Sequence, residues 1–232
     1  LVLSPDGTPH GVIPSPSGEA VRKLVPEHPG RTSAPSPYLL CDTAEYILGI
    51  DASGASKRAT KRFALSCEMH MRLLEGVDSV CARAICSFFE SWDPTTAGQR
   101  EELSAVVGDP AGSGNLLLAL SGPSGEITFA SEDDAIVDAW NRERDFLVGS
   151  SEPAVCLASG EMGPIAKLHP KFQGIPGAQS SGAALVSFNQ VAFESYGKEQ
   201  GDNAPVSQKV VDEYGAVLAY LLRSNKHRAM IG

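Results

Sequence analysis

The sequence predicts an irregular α+β domain of short antiparallel strands and several helices. Its 23 glycines and 16 prolines in 232 residues favour many turns and long loops over a helical bundle. Apolar residues recur at helical spacing in a few segments, while the remaining apolar runs are only as long as short strands. Hydrophobic residues make up 42% of the chain, which is enough to build a core.

The chain opens with a predicted β-hairpin. Apolar runs at residues 1–3 and 11–13 flank Asp6-Gly7, a pair suited to a turn because glycine accepts a positive φ. Residues 38–50 fit either a short strand or a helix, and periodicity does not decide between them.

Two helices are predicted next. The first spans residues 57–74 and ends before Gly76, with apolar side chains at helical spacing at Phe63, Cys67, Met71 and Leu74. The second spans residues 79–89, with Asp78 as its amino-terminal cap.

A second hairpin and a third helix follow. Residues 115–120 and 126–130 are the expected strands, joined by a Gly-, Pro- and Ser-rich turn. Ser131 is the expected cap of the helix, whose buried face would hold Ile136, Ala139, Trp140 and Phe146.

The last third of the chain predicts two strands and one helix. The strands are short apolar runs at residues 154–158 and 182–188. Ser207 would cap the helix, which carries an apolar stripe of Val210, Val211, Tyr214, Val217, Leu218 and Leu221.

The overall charge and the cysteines exclude several classes of protein. A net charge of −9 rules out a uniformly basic surface, so any contact with a polyanion must be local. Five cysteines without a C-x-x-C pair argue against a disulfide framework and a zinc module, and favour a reducing cytoplasm. No apolar run approaches the length of a membrane helix, and no motif indicates a cofactor or a metal.

A basic cluster marks the start of the first predicted helix. Basic side chains there oppose the helix dipole, which is easier to understand if a phosphate backbone offsets them. An ordinary solvated helix face is the alternative. The basic cluster consists of Lys57, Arg58, Lys61 and Arg62.

One motif resembles a catalytic signature. Ser195 and Lys198 match the S-x-x-K pattern of penicillin-binding enzymes, but the accompanying S-D-N and K-T-G tripeptides are absent. Cys156 and His169 could meet in space, yet two ligands do not make a tetrahedral metal site. No catalytic residue is therefore predicted.

Residues 188–207 stand out by composition, and residues 188–203 of this segment are called the 188–203 loop below. Aromatic, amide and lysine side chains alternate there with flexible glycines, a mixture that can stack on bases and contact base edges. An ordinary loop with aromatic side chains in the core is the alternative. The side chains of interest are Asn189, Phe193, Tyr196, Lys198, Gln200 and Asn203.

Several segments resemble one known family, the large subunit of the type I-C CRISPR surveillance complex, Cascade. The resemblance covers most of residues 38–222 and is weakest over residues 92–150. It rests on residues 38–42, 46–51, 61–63, 156–160, 163–170, 177–189, 192–200 and 203–207.

This resemblance implies a subunit without catalytic activity of its own. Such a subunit lies at the end of a guide RNA–protein filament, beside the subunit that holds the 5′ handle of the crRNA. It recognises the protospacer-adjacent motif in double-stranded DNA, promotes strand separation and R-loop formation, and helps recruit a helicase-nuclease. Further implied partners are the Cascade backbone subunits and the small subunit. Residues 1–232 would be the amino-terminal domain of a longer chain whose carboxy-terminal helical region is absent.

The resemblance gives the candidate residues their expected roles. Asn189, Gln200 and Asn203 would contact base edges, Lys198 would hold a phosphate, and Phe193 or Tyr196 would stack or act as a wedge. Second candidates are Gln179, Ser180 and Ser181, and the basic cluster would grip duplex phosphates. Two alternatives are a purely structural subunit that bridges its neighbours, and a serine hydrolase that uses Ser195 and Lys198.

Overall fold

The chain forms two compact units, residues Leu1–Glu143 and Arg144–Gly232. The computed structural model describes residues 1–14, 23–26, 35–110, 114–148, 153–173, 175–224 and 226–227. The mixed α+β class is confirmed. The helices are α1 (Ala44–Ile47), α2 (Lys57–Leu74), α3 (Val80–Ser91), α4 (Ser104–Gly108), α5 (Asp134–Val148) and α6 (Gln208–Arg223).

The strands are short and most pairs are antiparallel. They are β1 (Val2–Leu3), β2 (Pro9–Gly11), β3 (Cys41–Thr43), β4 (Asn115–Leu117), β5 (Ala119–Ser121), β6 (Ile127–Phe129), β7 (Pro153–Val155), β8 (Met162–Pro164), β9 (Lys171–Phe172) and β10 (Ala183–Ala184).

A four-stranded sheet in the order β2-β1-β5-β6 organises the first unit. The predicted opening hairpin is confirmed, and β1 also pairs in parallel with β5. The second predicted hairpin is confirmed only for β5 and β6, because β4 pairs with β3 instead. Leu118, between β4 and β5, lies where the chain changes its pairing partner. Its N–H donates to the Leu40 carbonyl, and its own carbonyl accepts from the Ala130 N–H.

For residues 38–50 the sequence left both a short strand and a helix open, and the structure contains one of each. Strand β3 runs directly into α1. The predicted bounds of α2 are confirmed, and α3 extends two residues beyond the predicted end.

Two helix caps were assigned to the wrong residues. Ser79, not Asp78, caps α3, since its hydroxyl accepts from the Ala82 N–H at 3.2 Å. Asp133, not Ser131, caps α5 by accepting from the Ile136 N–H at 3.1 Å. The two caps are also joined, because the Ser79 hydroxyl donates to Asp133 at 2.6 Å.

The core of the first unit lies between α1, α2, α3 and the strands. Phe88, Leu103, Leu118 and Ile136 are fully buried in it, and Trp140 packs against it. Ala139 is buried as predicted. The predicted burial of Phe146 lies outside the described side chains.

The second unit has a smaller core. It is held together by hydrogen bonds between residues 205–207 and residues 156, 157 and 166, which together are called the backbone crossing. The carbonyls of Pro205 and Val206 accept from Leu157 and Ala166, at 2.8 and 2.9 Å respectively. The Ser207 N–H then donates to the buried Cys156 sulfur at 3.3 Å. The buried apolar residues of this unit are Cys156, Ile165, Ala166, Phe172 and Val211.

Three predictions for this unit are wrong in extent. The strands expected over residues 154–158 and 182–188 are limited to β7 and β10. Helix α6 begins after Ser207 as predicted, but the Ser207 side chain makes no capping hydrogen bond, and only Val211 of the predicted apolar stripe is buried. Val217 and Leu221 are exposed, because the small second unit does not cover the end of this helix.

No helix in the described part of the chain is long and apolar enough to cross a membrane.

Candidate nucleic-acid interface

The basic cluster begins α2, and half of its charge is neutralised by two acidic residues. Glu45 of α1 pairs with Arg58 at 3.0 Å and also with Arg62. Asp51 lies 3.7 Å from Arg58. Arg62 is further fixed over the ring of Tyr46, with the guanidinium carbon 5.4 Å from its centroid. These carboxylates offset the unfavourable interaction between the arginines and the helix dipole, so no phosphate is needed to explain the position of the arginines.

Asp51 is held in its charged form by the residues around it. The Ser56 hydroxyl and the Ser53 N–H donate to its carboxylate, and these hydrogen bonds lower the pKa of Asp51 below its usual value. Arg58 and Arg62 lower this pKa further. Ser56 also caps α2 by accepting from the Ala59 N–H at 3.2 Å.

Lys57 and Lys61 are the two cations of this cluster without an acidic partner in the described part of the chain. Both side chains are exposed, four residues apart on one face of α2. Neither makes an ion pair with any residue that the structure describes. Of the four predicted phosphate contacts, these two have a charge that an acidic neighbour does not already neutralise.

The 188–203 loop lies on the surface of the second unit. Phe193 is 51% exposed and Tyr196 is fully exposed, so neither aromatic residue belongs to the core. Asn189, Lys198 and Gln200 are exposed as well. The structure thus presents most of the predicted side chains of this loop to solvent.

A tight turn places Tyr196 at the tip of the loop. The Lys198 N–H donates to the Ser195 carbonyl at 3.0 Å, and the two residues form a β-bridge. Tyr196 and Gly197 between them both have positive φ, 54° and 70°, as in a type I′ turn. A large side chain costs about 1–2 kcal/mol in this conformation. Ser195 therefore begins a turn. The serine of the S-x-x-K enzymes, by contrast, begins a helix.

Asn203 is half-buried, and its side chain binds the backbone of its own loop. Its Oδ1 accepts from the Ser195 N–H at 2.9 Å. Its Nδ2 donates to the carbonyls of Lys198 and Gln200, at 2.9 and 3.1 Å. The predicted contact of Asn203 with base edges remains a prediction, but both of its N–H donors are already used within the protein.

Gly201 attaches the loop to the body of the second unit. Its N–H donates to the Lys167 carbonyl at 3.1 Å. A Cβ atom at this position would lie 1.9 Å from the Ala166 carbonyl oxygen, so only glycine fits.

The second candidate group forms a separate exposed turn. Gln179, Ser180 and Ser181 are all exposed. The Gly182 N–H donates to the Gln179 carbonyl at 3.0 Å and closes the turn. Gly182 has a φ of 98°, and a Cβ atom added there would lie 3.0 Å from the Lys171 Cβ.

Cys156 and His169 are each engaged with a different partner. The Cys156 sulfur accepts from the Ser207 N–H, while His169 Nδ1 lies 2.6 Å from the Tyr214 hydroxyl. Burial lowers the pKa of His169 below its ordinary value. The described residues include no group of three or more His, Cys, Asp or Glu side chains that could hold a metal ion.

Three residues that matter here were missed in the sequence analysis. Glu45 and Asp51 neutralise the arginines from outside α2. Gly201 attaches the 188–203 loop to the backbone of Lys167. Neither acidic residue follows the i, i+4 spacing by which charge pairs within one helix are recognised. From the sequence, Gly201 was interpreted only as a flexible residue, so its close approach to the Ala166 backbone was not predicted.

The predicted residues thus fall into separate groups. The basic cluster belongs to the first unit, and the 188–203 loop and the 179–181 turn belong to the second. Within the 188–203 loop, the structure connects Ser195, Lys198, Gln200 and Asn203 directly by hydrogen bonds.

Comparison with known proteins gives one finding. The curated proteins contain no match to this sequence. The model of one protein family, described as CRISPR-associated protein (Cas_Csd1), matches residues 1–232. Because the match spans the whole chain, this protein belongs to the Cas_Csd1 family of CRISPR-associated, Cascade-type proteins.

Proposed function

We propose that this protein is the non-catalytic large subunit of a type I-C Cascade complex and recognises the protospacer-adjacent motif in double-stranded DNA. The family match over residues 1–232 carries this proposal. Its role would be to detect the motif, promote strand separation and R-loop formation, and help recruit the helicase-nuclease. Base pairing with the guide would read the rest of the target.

The proposed partners follow from the same role. The protein would bind the crRNA, the subunit that holds its 5′ handle, the Cascade backbone subunits, the small subunit and the helicase-nuclease. The proposed location is the cytoplasm.

The 188–203 loop is the proposed contact with the motif. Asn189 and Gln200 are exposed amides with both donor and acceptor groups for base edges. Lys198 adds a charge for phosphate, and Tyr196 offers an exposed ring to stack on a base or separate a base step. Lys57 and Lys61 would contact duplex phosphates from the first unit.

The test is equilibrium binding of the guide-loaded complex, at fixed salt, to duplexes that differ only in the adjacent motif. The motif is first selected from a library of duplexes randomised at that position. We expect Gln200→Ala to cost about 1–3 kcal/mol for the preferred motif and to reduce discrimination. Lys198→Ala should weaken binding to all duplexes equally.

Matched substitutions outside the loop serve as controls. Gln173 and Lys209 are exposed residues of the second unit, and their replacement by Ala should leave the motif preference unchanged. Assembly of each complex is checked by size-exclusion chromatography. An intact complex in which the Gln200 variant keeps full discrimination would remove this loop from motif reading.

A purely structural, bridging subunit is the second candidate. It is favoured by the exposed apolar side chains of the second unit, such as Leu157 and Leu168, which are 71% and 73% exposed. Under this alternative, changes in the 188–203 loop would lower the yield of assembled complex and leave motif discrimination intact. A hydrolase that uses Ser195 would instead react with an acylating active-site probe.

A further inference from the structure

The Asn203 side chain is the central hydrogen-bonding group of the 188–203 loop. An amide offers two N–H donors and one carbonyl oxygen. In Asn203 both donors and the oxygen bind loop backbone, at Lys198, Gln200 and Ser195. This leaves no free donor with which Asn203 could recognise a base.

These hydrogen bonds connect both ends of the turn that presents Tyr196. Ser195 precedes Tyr196, and Lys198 follows Gly197. The positive φ of Tyr196 is a conformation that a large side chain keeps only when its surroundings enforce it. Asn203 lies outside the turn, and its hydrogen bonds to Ser195 and Lys198 hold the turn in this conformation.

Asn203 is itself fixed to the packed part of the second unit. It ends a short 3-10 helix, Gln200–Asn203, in which Gly201 packs against Ala166 and donates to Lys167. A continuous series of contacts therefore runs from the Ala166 backbone through Asn203 to the base of the Tyr196 turn.

We infer that Asn203 is a positioning residue that holds the Tyr196 ring outward, ready to meet nucleic acid. This inference rests on the proposed function, in which the 188–203 loop contacts DNA. It changes the expected role of Asn203, which acts through Tyr196 and does not read bases. Pre-organisation of this kind reduces the ordering cost on binding.

A double-mutant cycle tests the inference in the guide-loaded complex. The variants are Tyr196→Ala, Asn203→Ala and the double substitution, and strand opening is followed by 2-aminopurine fluorescence beside the motif. Each single variant should slow opening by about tenfold, and the double variant should be no slower than Tyr196→Ala. If the two effects multiply, Asn203 acts independently of Tyr196 and the inference is wrong.

A second measurement, made without DNA, separates this inference from the proposed function. Hydrogen exchange of the Ser195 amide should be about tenfold faster in Asn203→Ala. Gln190→Ala, which changes an exposed amide side chain of the same loop, should leave that exchange unchanged. Unchanged exchange in Asn203→Ala would refute the positioning role.

The two readouts together distinguish the possible failures. If Tyr196→Ala opens DNA at the normal rate while Asn203→Ala exchanges faster, Asn203 orders the loop but the loop is not the strand-separating element. In that case the proposed function of the loop fails, and the effect on DNA that we infer fails with it. If Tyr196→Ala slows opening and Asn203→Ala does not, the loop's proposed function survives and the inference alone is wrong.

Discussion

His70 is a fully buried, uncharged histidine at the centre of the first unit. Its Nε2 accepts from the Leu40 N–H at 3.0 Å, and its Nδ1 donates to the Ser66 carbonyl at 2.7 Å. Its ring also stacks on Phe89 with centroids 4.3 Å apart. Because Nε2 must remain an acceptor, the neutral ring is the form that fits.

Burial lowers the pKa of His70 from 6.5 to about 4. The unfolded chain therefore binds this proton more readily than the folded protein between pH 6.5 and pH 4. The stability that His70 contributes is complete above pH 6.5 and falls as the pH decreases through this window. We expect a loss of about 3 kcal/mol in the free energy of unfolding from this group.

Urea unfolding of the protein at several pH values measures this loss. Tryptophan fluorescence is the signal, since Trp92 and Trp140 both lie in the first unit. His70→Gln should flatten the profile between pH 4 and 6.5, although it is less stable overall. His10→Gln, at an exposed position, should keep the wild-type profile. A wild-type protein equally stable at pH 4.5 and pH 7 would contradict this account.

Single residues mark the limit of what the sequence predicts. Tyr196 and Lys198 were predicted from the composition of their segment to contact nucleic acid, and both side chains are exposed, as such contact requires. The role of Asn203 could not be predicted, because its three contacts depend on two successive positive φ values at Tyr196 and Gly197. The sequence does not distinguish His70 from the other histidines, because its burial and its hydrogen bond depend on the Leu40 backbone, 30 positions away.

At the scale of elements, the start of α2 carries two kinds of basic residue. Carboxylates neutralise its arginines, whereas no carboxylate in the described part of the chain neutralises its lysines. Arg58 and Arg62 are paired with Glu45, whereas Lys57 and Lys61 are not paired within the described part of the chain. The arginines join α2 to α1. The lysines are the residues with charge available for phosphate.

Replacing both lysines should therefore change the salt dependence of DNA binding by the assembled complex. Lys57→Ala together with Lys61→Ala should reduce the slope of log K against log salt by about 2, because each lost phosphate contact removes about 0.9. The slope is measured from titrations between low and physiological salt, on duplexes with and without the motif.

Arg58→Ala is the matched comparison on the same helix turn. Because Glu45 and Asp51 already neutralise this charge, we expect a smaller change in slope than for either lysine. An equal or larger change for Arg58→Ala would show that the arginine leaves its acidic partners to bind DNA.

Helices were predicted better than strands for a physical reason. The 18 residues of α2 repeat their apolar positions several times, which fixes the bounds of the element. Strands of two or three residues contain no such repeat, so the exchange of partners at Leu118 could not be foreseen. The caps of α3 and α5 were misplaced by one and two residues, because Asp78 and Ser79, like Ser131 and Asp133, are all residue types that cap helices and local sequence does not choose between them.

At the scale of the whole molecule, charge opposes the proposed activity. The chain carries a net charge of −9, so DNA is repelled at long range and attraction is limited to local basic sites. We expect the chain free of guide RNA and partner subunits to bind duplexes only in the non-specific range, with Kd of about 10⁻⁴–10⁻⁶ M at physiological salt.

Fluorescence anisotropy with labelled duplexes measures this affinity. The assembled complex, on the same duplexes, provides the positive control. Tight and motif-selective binding by the free chain would show that the protein needs no help from its partners to overcome its own charge.

The backbone crossing in the second unit determines the order in which this unit can form. Cys156 and Ser207 are 51 positions apart, whereas the contact between Ser195 and Asn203 spans only 8. The short contact closes a small loop at low entropic cost, while the long one requires all of residues 156–207 to be present. During synthesis, the Tyr196 turn can therefore acquire its local shape as soon as Asn203 leaves the ribosome. The residues that attach it to the unit, Gly201 and Lys167, are already synthesised at that point, and only the backbone crossing itself waits for Ser207.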